Sequence, residues 1–236
     1  MVKKIYKSEN RGVASHGWLN SRFSFSFAGW YNPELIHFGM LRVLNDDIIS
    51  PGMGFGMHPH ENMEIITIVL SGELEHKDTM GNGSVIKVGD VQIMSAGIGL
   101  EHSEFNPSLT EETKLLQLWI FPKERNINPR YGQRTFKLTD NKNVFIPVVS
   151  HNLQNESLWI NQKATISLVE FDNLMAVNYI VNDSGNGAYI FVIDGYFNIE
   201  NEIVNKRDAI GIYDIDNINI EPKSIGKLLI IDIPMN

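Results

Sequence analysis

Short runs of β-branched and other apolar residues recur along this chain, each closed by a turn-forming residue, and stretches with a helical period are scarce. Ile65-Ile66-Thr67-Ile68-Val69-Leu70 ends at Ser71-Gly72. Ser84-Val85-Ile86-Lys87-Val88 ends at Gly89-Asp90, and Val91-Gln92-Ile93-Met94 follows at once. Leu115-Leu116-Gln117-Leu118-Trp119-Ile120-Phe121 ends at Pro122. Runs of this length between turn residues read as strands, and many of them in series read as a sandwich or barrel. The pattern predicts an all-β protein.

From Lys123 to about Asn143 the pattern lapses into polar sequence with Pro129, Tyr131-Gly132-Gln133 and Asp140-Asn141-Lys142-Asn143. This predicts a linker at 129–143 between an N-terminal barrel (1–128) and a C-terminal barrel (144–236). The two halves echo each other. Ile68-Val69-Leu70-Ser71-Gly72-Glu73-Leu74 aligns with Phe191-Val192-Ile193-Asp194-Gly195-Tyr196-Phe197, and Gly89-Asp90-Val91 aligns with Arg207-Asp208-Ala209 after a shorter loop. Such a repeat predicts two similar, jelly-roll-like β-barrels in tandem.

The length of 236 residues and a hydrophobic content of 43% are sufficient for two buried cores. Acidic residues outnumber basic ones by 28 to 20, for a formal charge of −8, and no segment is rich in lysine or arginine. That balance argues against direct contact with nucleic acid, whose binders carry a basic surface. The chain has no cysteine, so any metal must be held by nitrogen and oxygen. No apolar stretch follows Met1-Val2-Lys3-Lys4, so no secretory signal is expected, and no apolar run approaches the ~18 residues of a membrane span. A soluble, cytoplasmic protein is the expectation.

Two triplets stand out against this background: His58-Pro59-His60 and His102-Ser103-Glu104. On a strand, residues i and i+2 point to the same face. Two such strands side by side would aim three imidazoles and a carboxylate at one point, which is a metal site. Glu64 is a second candidate carboxylate. A lone histidine is more often a surface or hydrogen-bonded core residue, and His16, His37, His76 and His151, which lack such partners, are expected to be structural. Gly52, Gly54, Gly56, Gly97 and Gly99 suit turns or close backbone approach. Phe25, Phe38, Phe55 and Met57 suit the barrel core. Counting from the matched glycines of the repeat, His58 and His60 fall opposite Val181 and Asp183. From the matched aspartates, His102 and Glu104 fall opposite Ile220 and Pro222. The second barrel is therefore expected to lack the ligands.

The spacing Gly52…His58-Pro59-His60…Glu64…Gly72, with Gly89-Asp90…Gly97…His102-Ser103-Glu104…Asn106, resembles the two motifs of the cupin superfamily. Ser95 stands where a proline is usual, and the histidine after Gly97 comes two residues late. Phe23–Ala28, Leu41–Asp47, Gly54–His60, Gly72–Asp78, Met94–Gly99 and Asn128–Tyr131 resemble segments of the pirin family almost continuously from about Arg11 to Phe136. They are closest to bacterial pirin-like proteins with quercetin 2,3-dioxygenase activity. The resemblance implies a bicupin with one metal site in the first barrel, held by His58, His60, His102 and Glu104, with Glu64 in a supporting role. It implies a divalent transition metal, ferrous iron first, with manganese, cobalt, nickel or copper compatible with the donors. It further implies a flavonol-like aromatic substrate cleaved with O2 and loss of carbon monoxide, with Glu104 taking the substrate proton. A metal-binding regulatory protein acting through a protein partner, with quercetin turnover as a side activity, is the alternative. A different cupin enzyme ranks third.

Overall fold

The computed structural model describes residues 1–153 and 156–236. They form two barrels in tandem, each a seven-stranded sheet packed against a four-stranded one, so the all-β bicupin expectation holds. The helical elements include 3-10 turns at Ser8–Asn10 and Leu138–Asp140. None is long and apolar enough to cross a membrane.

In the first barrel the large sheet runs, edge to edge, Arg130–Thr135, Asp90–Ser95, Glu64–Ser71, Thr113–Ile120, Leu41–Ile49, Leu19–Phe23 and Gly12–Ser15. The small sheet runs Gly54–His60, Leu100–Phe105, Glu73–Asp78 and Gly83–Lys87. The second barrel repeats this plan, with Val177–Ile180, Asn217–Pro222, Tyr196–Ile199 and Glu202–Asn205 as its small sheet.

Two parts of the expected domain division are corrected. Arg130–Thr135, placed in the linker, is a strand paired with Asp90–Ser95 of the first barrel. It sits at a sheet edge with both faces partly wet, so its sequence carries no apolar alternation. Val2–Tyr6, placed in the first barrel, pairs with Ala209–Tyr213 of the second. The chain therefore begins in one barrel and crosses into the other.

Strand alternation divides the buried side chains into three regions. Ile66 and Ile68, with Leu116, Leu118 and Ile120, face outward from the first large sheet. They meet Tyr189, Phe191, Leu229 and Ile231 from the second in one core shared between the barrels. The interior of the second barrel is a continuous hydrophobic core that includes Ile190, Ile199, Ile218, Ile220 and Ile230. The interior of the first is divided. Leu19, Ile49, Val69, Leu74, Ile86 and Leu115 form one apolar cluster, and Ile65, Met94 and Leu100 form another.

Strand pairing corrects the repeat register. His102 pairs with His58, and Glu104 with His76; in the second barrel Ile218 pairs with Tyr179, and Ile220 with Ile199. His58, His60, His102 and Glu104 thus correspond to Tyr179, Val181, Ile218 and Ile220, each two positions from the sequence alignment. Two loops differ in length between the halves, and counting from the matched glycines and aspartates ran through them. The second barrel still offers no ligand at any of the four positions.

Candidate metal centre

The Gly54–His60 strand lies antiparallel to Leu100–Phe105, which sets His58 directly against His102 and His60 against Leu100. The three imidazoles face one another, with ring centroids 4.4 Å apart for His58–His102 and 4.9 Å for both His58–His60 and His60–His102. Their ligand-capable nitrogens form one group within 4.8 Å of each other. Glu104 lies one step deeper. Its carboxylate belongs to an adjoining group with His102 and His76, so the two groups meet at His102.

The surroundings prepare these side chains for an ion. The His58 Nδ1–H donates to the Gly56 carbonyl at 2.8 Å. A carbonyl can only accept, so this bond fixes the tautomer and leaves Nε2 bare as a ligand atom. His102 is 1% exposed, yet neither ring nitrogen has a hydrogen-bond partner. A buried polar atom left alone in this way costs about 1–3 kcal/mol, and an ion at one nitrogen removes that cost. Burial, reinforced by His58, lowers His60 to about 4. Burial, then His58, His60 and His76, lowers His102 to about 2. Both rings are therefore neutral at physiological pH, the state in which imidazole binds metal.

Glu104 is buried at the barrel centre, and burial raises its pKa against the opposing pull of its hydrogen bonds. The Gln117 amide donates to one carboxylate oxygen at 2.8 Å, and Thr67 donates to the other at 3.4 Å. The Trp119 indole in turn donates to the Gln117 carbonyl at 3.2 Å, and its ring stands edge-on to His60 at 4.9 Å. Trp119 thus touches one imidazole directly and steadies the carboxylate through Gln117. An open hollow of about 550 Å³ lies against His60, lined by Pro59, Glu61, Thr79, Ile98 and Leu100 among others.

Sequence reasoning missed part of this arrangement. His76, expected to be structural, is wholly buried beside His102, with ring centroids 5.3 Å apart, and its Nε2 lies 3.3 Å from Asp78. Tyr131, from the supposed linker, packs its ring against His76 at 4.9 Å. The signal available was the alternation Leu74, His76, Asp78 on the buried face of one strand. Gln117 and Thr67 lie on two other strands and needed the strand register to find. Glu64 does not join the cluster. Its carboxylate accepts from Ser95 at 2.8 Å and from the Asn161 backbone N–H at 3.1 Å, which ties the first barrel to the second. The unusual Ser95 thereby gains a role that a proline could not fill. His37 binds the Gly39 carbonyl, His151 pairs with Asp183, and His16 stands apart from the cluster.

Comparison with known proteins finds relatives over almost the whole chain. Residues 6–120 match the family model described as Pirin, and residues 147–233 match the Quercetinase C-terminal cupin domain. Over 233 residues the chain is 41% identical to a quercetin 2,3-dioxygenase of Escherichia coli (strain K12), covering 98% of each. It is 36% identical over 222 residues to a pirin-like protein of Caulobacter vibrioides, covering 94% of this chain and 95% of that one. The crystal structure of bacterial pirin YhhW from Escherichia coli in complex with nickel(II) superposes with a TM-score of 0.93 at 38% identity, covering 99% of both chains.

Proposed function

This chain belongs to the pirin family, and from that premise we propose that it is a metal-dependent dioxygenase that opens the heterocycle of a flavonol such as quercetin with O2 and releases carbon monoxide. The observation that carries the reading is the gathering of His58, His60 and His102, with a buried carboxylate beside them, in the interior of the first barrel. The names of its relatives support the same activity, and the nickel(II) complex of one of them supports a divalent ion.

His58, His60, His102 and Glu104 are the residues we assign as ligands. Donors of this N3O kind accept several first-row metals, and affinity alone does not select among them; ferrous iron is our assignment. Held by these residues, an ion would supply Lewis acidity and electron exchange with dioxygen. The protein does the rest. Glu104, raised by burial, takes the proton of the flavonol 3-hydroxyl. Gln117 holds the carboxylate in place while it does so. Trp119, partly buried against Ile65, Met94 and Leu100, offers a flat apolar wall beside His60 that suits the rings of a flavonol.

The test is direct. The protein is purified without oxygen, its metal content is measured, and quercetin is added in air while flavonol absorbance and carbon monoxide are followed together. Loss of absorbance with matching carbon monoxide is expected. No turnover with iron, manganese, cobalt, nickel or copper loaded would sink the proposal.

A further inference from the structure

The outward faces of the two large sheets do not close completely where the barrels meet. At one end of their shared core they leave a cavity of about 500 Å³, within the ~300–1,000 Å³ typical of small-molecule sites. Its floor is apolar and comes from both halves: Ile68, Leu70, Phe136 and Leu138 from one side, Leu168 and Ile193 from the other. None of its lining residues belongs to the metal centre. Strand alternation explains the separation, since Thr67 and Gln117 face the barrel interior while Ile68 and Lys114, one and three positions away, face the seam.

The rim is charged and unbalanced. Lys114, Lys137, Lys206, Arg207 and Lys227 line the cavity with only Asp90, Glu170 and Asp194. Each of those carboxylates is already engaged. Asp90 accepts from Gln133 at 2.9 Å and Thr135 at 2.5 Å. Glu170 lies 2.6 Å from Lys142 and 3.3 Å from Lys227, and Asp194 lies 2.7 Å from Lys206. Lys114 and Lys137 have no ionic partner among the described residues. Arg207 reaches Asp46 through Nε at 3.5 Å, but its Nη1 is buried with no hydrogen-bond partner. A chain of formal charge −8 thus carries a local cationic excess above an apolar floor.

We infer that this cleft between the barrels is a second ligand site, which takes a small organic carboxylate with an apolar body. The body covers the six apolar floor residues, and the carboxylate meets Lys114, Lys137 and Arg207. An uncharged apolar molecule would leave the cations unanswered, while an inorganic anion would leave the floor wet. The inference stands independently of the reading of the metal centre.

The probe is octanoate, titrated by calorimetry into the full-length, metal-loaded protein, with octan-1-ol and octylammonium in parallel. Saturable one-site binding of octanoate is expected, at least about tenfold tighter than that of octanol, with none for octylammonium. Binding should persist in His58→Ala, which separates this site from any carboxylate bound at the metal. It should weaken about tenfold or more in the double variant Lys114→Glu/Lys137→Glu, whose exposed positions leave the core intact; the thermal melt verifies this. A third variant, Leu138→Trp, fills the floor without changing charge and should also remove binding. The inference is overturned if octanoate does not bind, if octanol binds as tightly, or if charge reversal leaves the affinity unchanged. Loss of binding in His58→Ala would equally overturn it by assigning the octanoate to the metal centre.

Discussion

Replacing Gln117 with leucine isolates what the surroundings of Glu104 contribute to metal binding. The Gln117 amide is the closer of two donors to that carboxylate, at 2.8 Å against 3.4 Å from Thr67. Its counterpart in the second barrel, read through the pairing of Gln117 with Thr67 and of Ile230 with Ile190, is Ile230, which is fully buried. An aliphatic side chain is therefore compatible with this strand position, and Gln117→Leu should fold. A hydrogen bond to a charged group is worth about 1.5–3 kcal/mol, and each 1.4 kcal/mol is tenfold in affinity. Metal should bind roughly 10–100-fold more weakly, the range usual for partners of metal ligands. Losing the donor also pushes the Glu104 carboxyl further up, so the deficit should widen as pH falls. Competition with a chromophoric chelator at several pH values measures this, with circular dichroism to verify the fold. An affinity within about threefold of the parent in a folded variant would show that Gln117 does not hold the ligand.

Three further outcomes are expected. Burial raises the Asp47 carboxyl from 3.8 to about 7. Between those values the folded state holds a proton that the unfolded chain has released, so stability falls as pH rises through that window. At 1.36 kcal/mol per pH unit the loss reaches about 4 kcal/mol above pH 7; Asp47→Asn in metal-free protein should therefore leave chemical denaturation unchanged near pH 4 and stabilise by a few kcal/mol at pH 8.5, and no difference between the two pH values would refute the buried-acid reading. His58→Ala and Glu104→Gln should each lose most bound metal, measured by elemental analysis after dialysis, while keeping the melting profile of the chelated parent; full metal content in either would remove that residue from the ligand set. The triple change Thr67→Ile, Glu104→Ile and Gln117→Ile copies the interior of the second barrel and should abolish metal binding while leaving stability unchanged or raising it by about 1–4 kcal/mol; a large fall in the denaturation midpoint would show that the two interiors are not interchangeable.

The strands and the histidine pairs were legible because each depends on local sequence. Period-two alternation and the i, i+2 spacing of His58 with His60 need only a strand to take effect. What escaped depends on register between distant segments. Gln117 meets Glu104 across 13 residues and Thr67 meets it across 37, and nothing in either residue type marks it as a partner. His76 is hidden for the same reason, since its neighbour His102 is on a paired strand. Arg130–Thr135 looks like linker in the sequence because an edge strand with two partly wet faces has no hydrophobic period to detect. The repeat was visible at its glycine turns, but its register drifted wherever a loop changed length, which displaced all four ligand counterparts by two positions.

The two barrels also serve as controls for each other. They share strand order and pairing, yet Asp47, Thr67, His76, Gln92, Glu104 and Gln117 in one are met by Val169, Ile190, Ile199, Ile210, Ile220 and Ile230 in the other. Buried polar groups cost free energy unless each is satisfied. In the first barrel several are not: Asn45, Asp47, His76, Gln92 and His102 all have a buried atom without a hydrogen-bond partner. Atoms of this kind occur in the second barrel too, at Thr165, Glu170, Asn198 and Arg207, but it is the first that also divides its apolar core in two. The aliphatic second barrel and the shared core between them supply the compensating burial, and Glu64 anchors the first barrel to the Asn161 backbone of the second. A bound ion would stabilise the folded state further by mass action, and it would do so where the unpartnered atoms of His102 lie. On this account the second barrel needs no ligands of its own to matter for the metal centre: its continuous hydrophobic core lets the first keep a polar one.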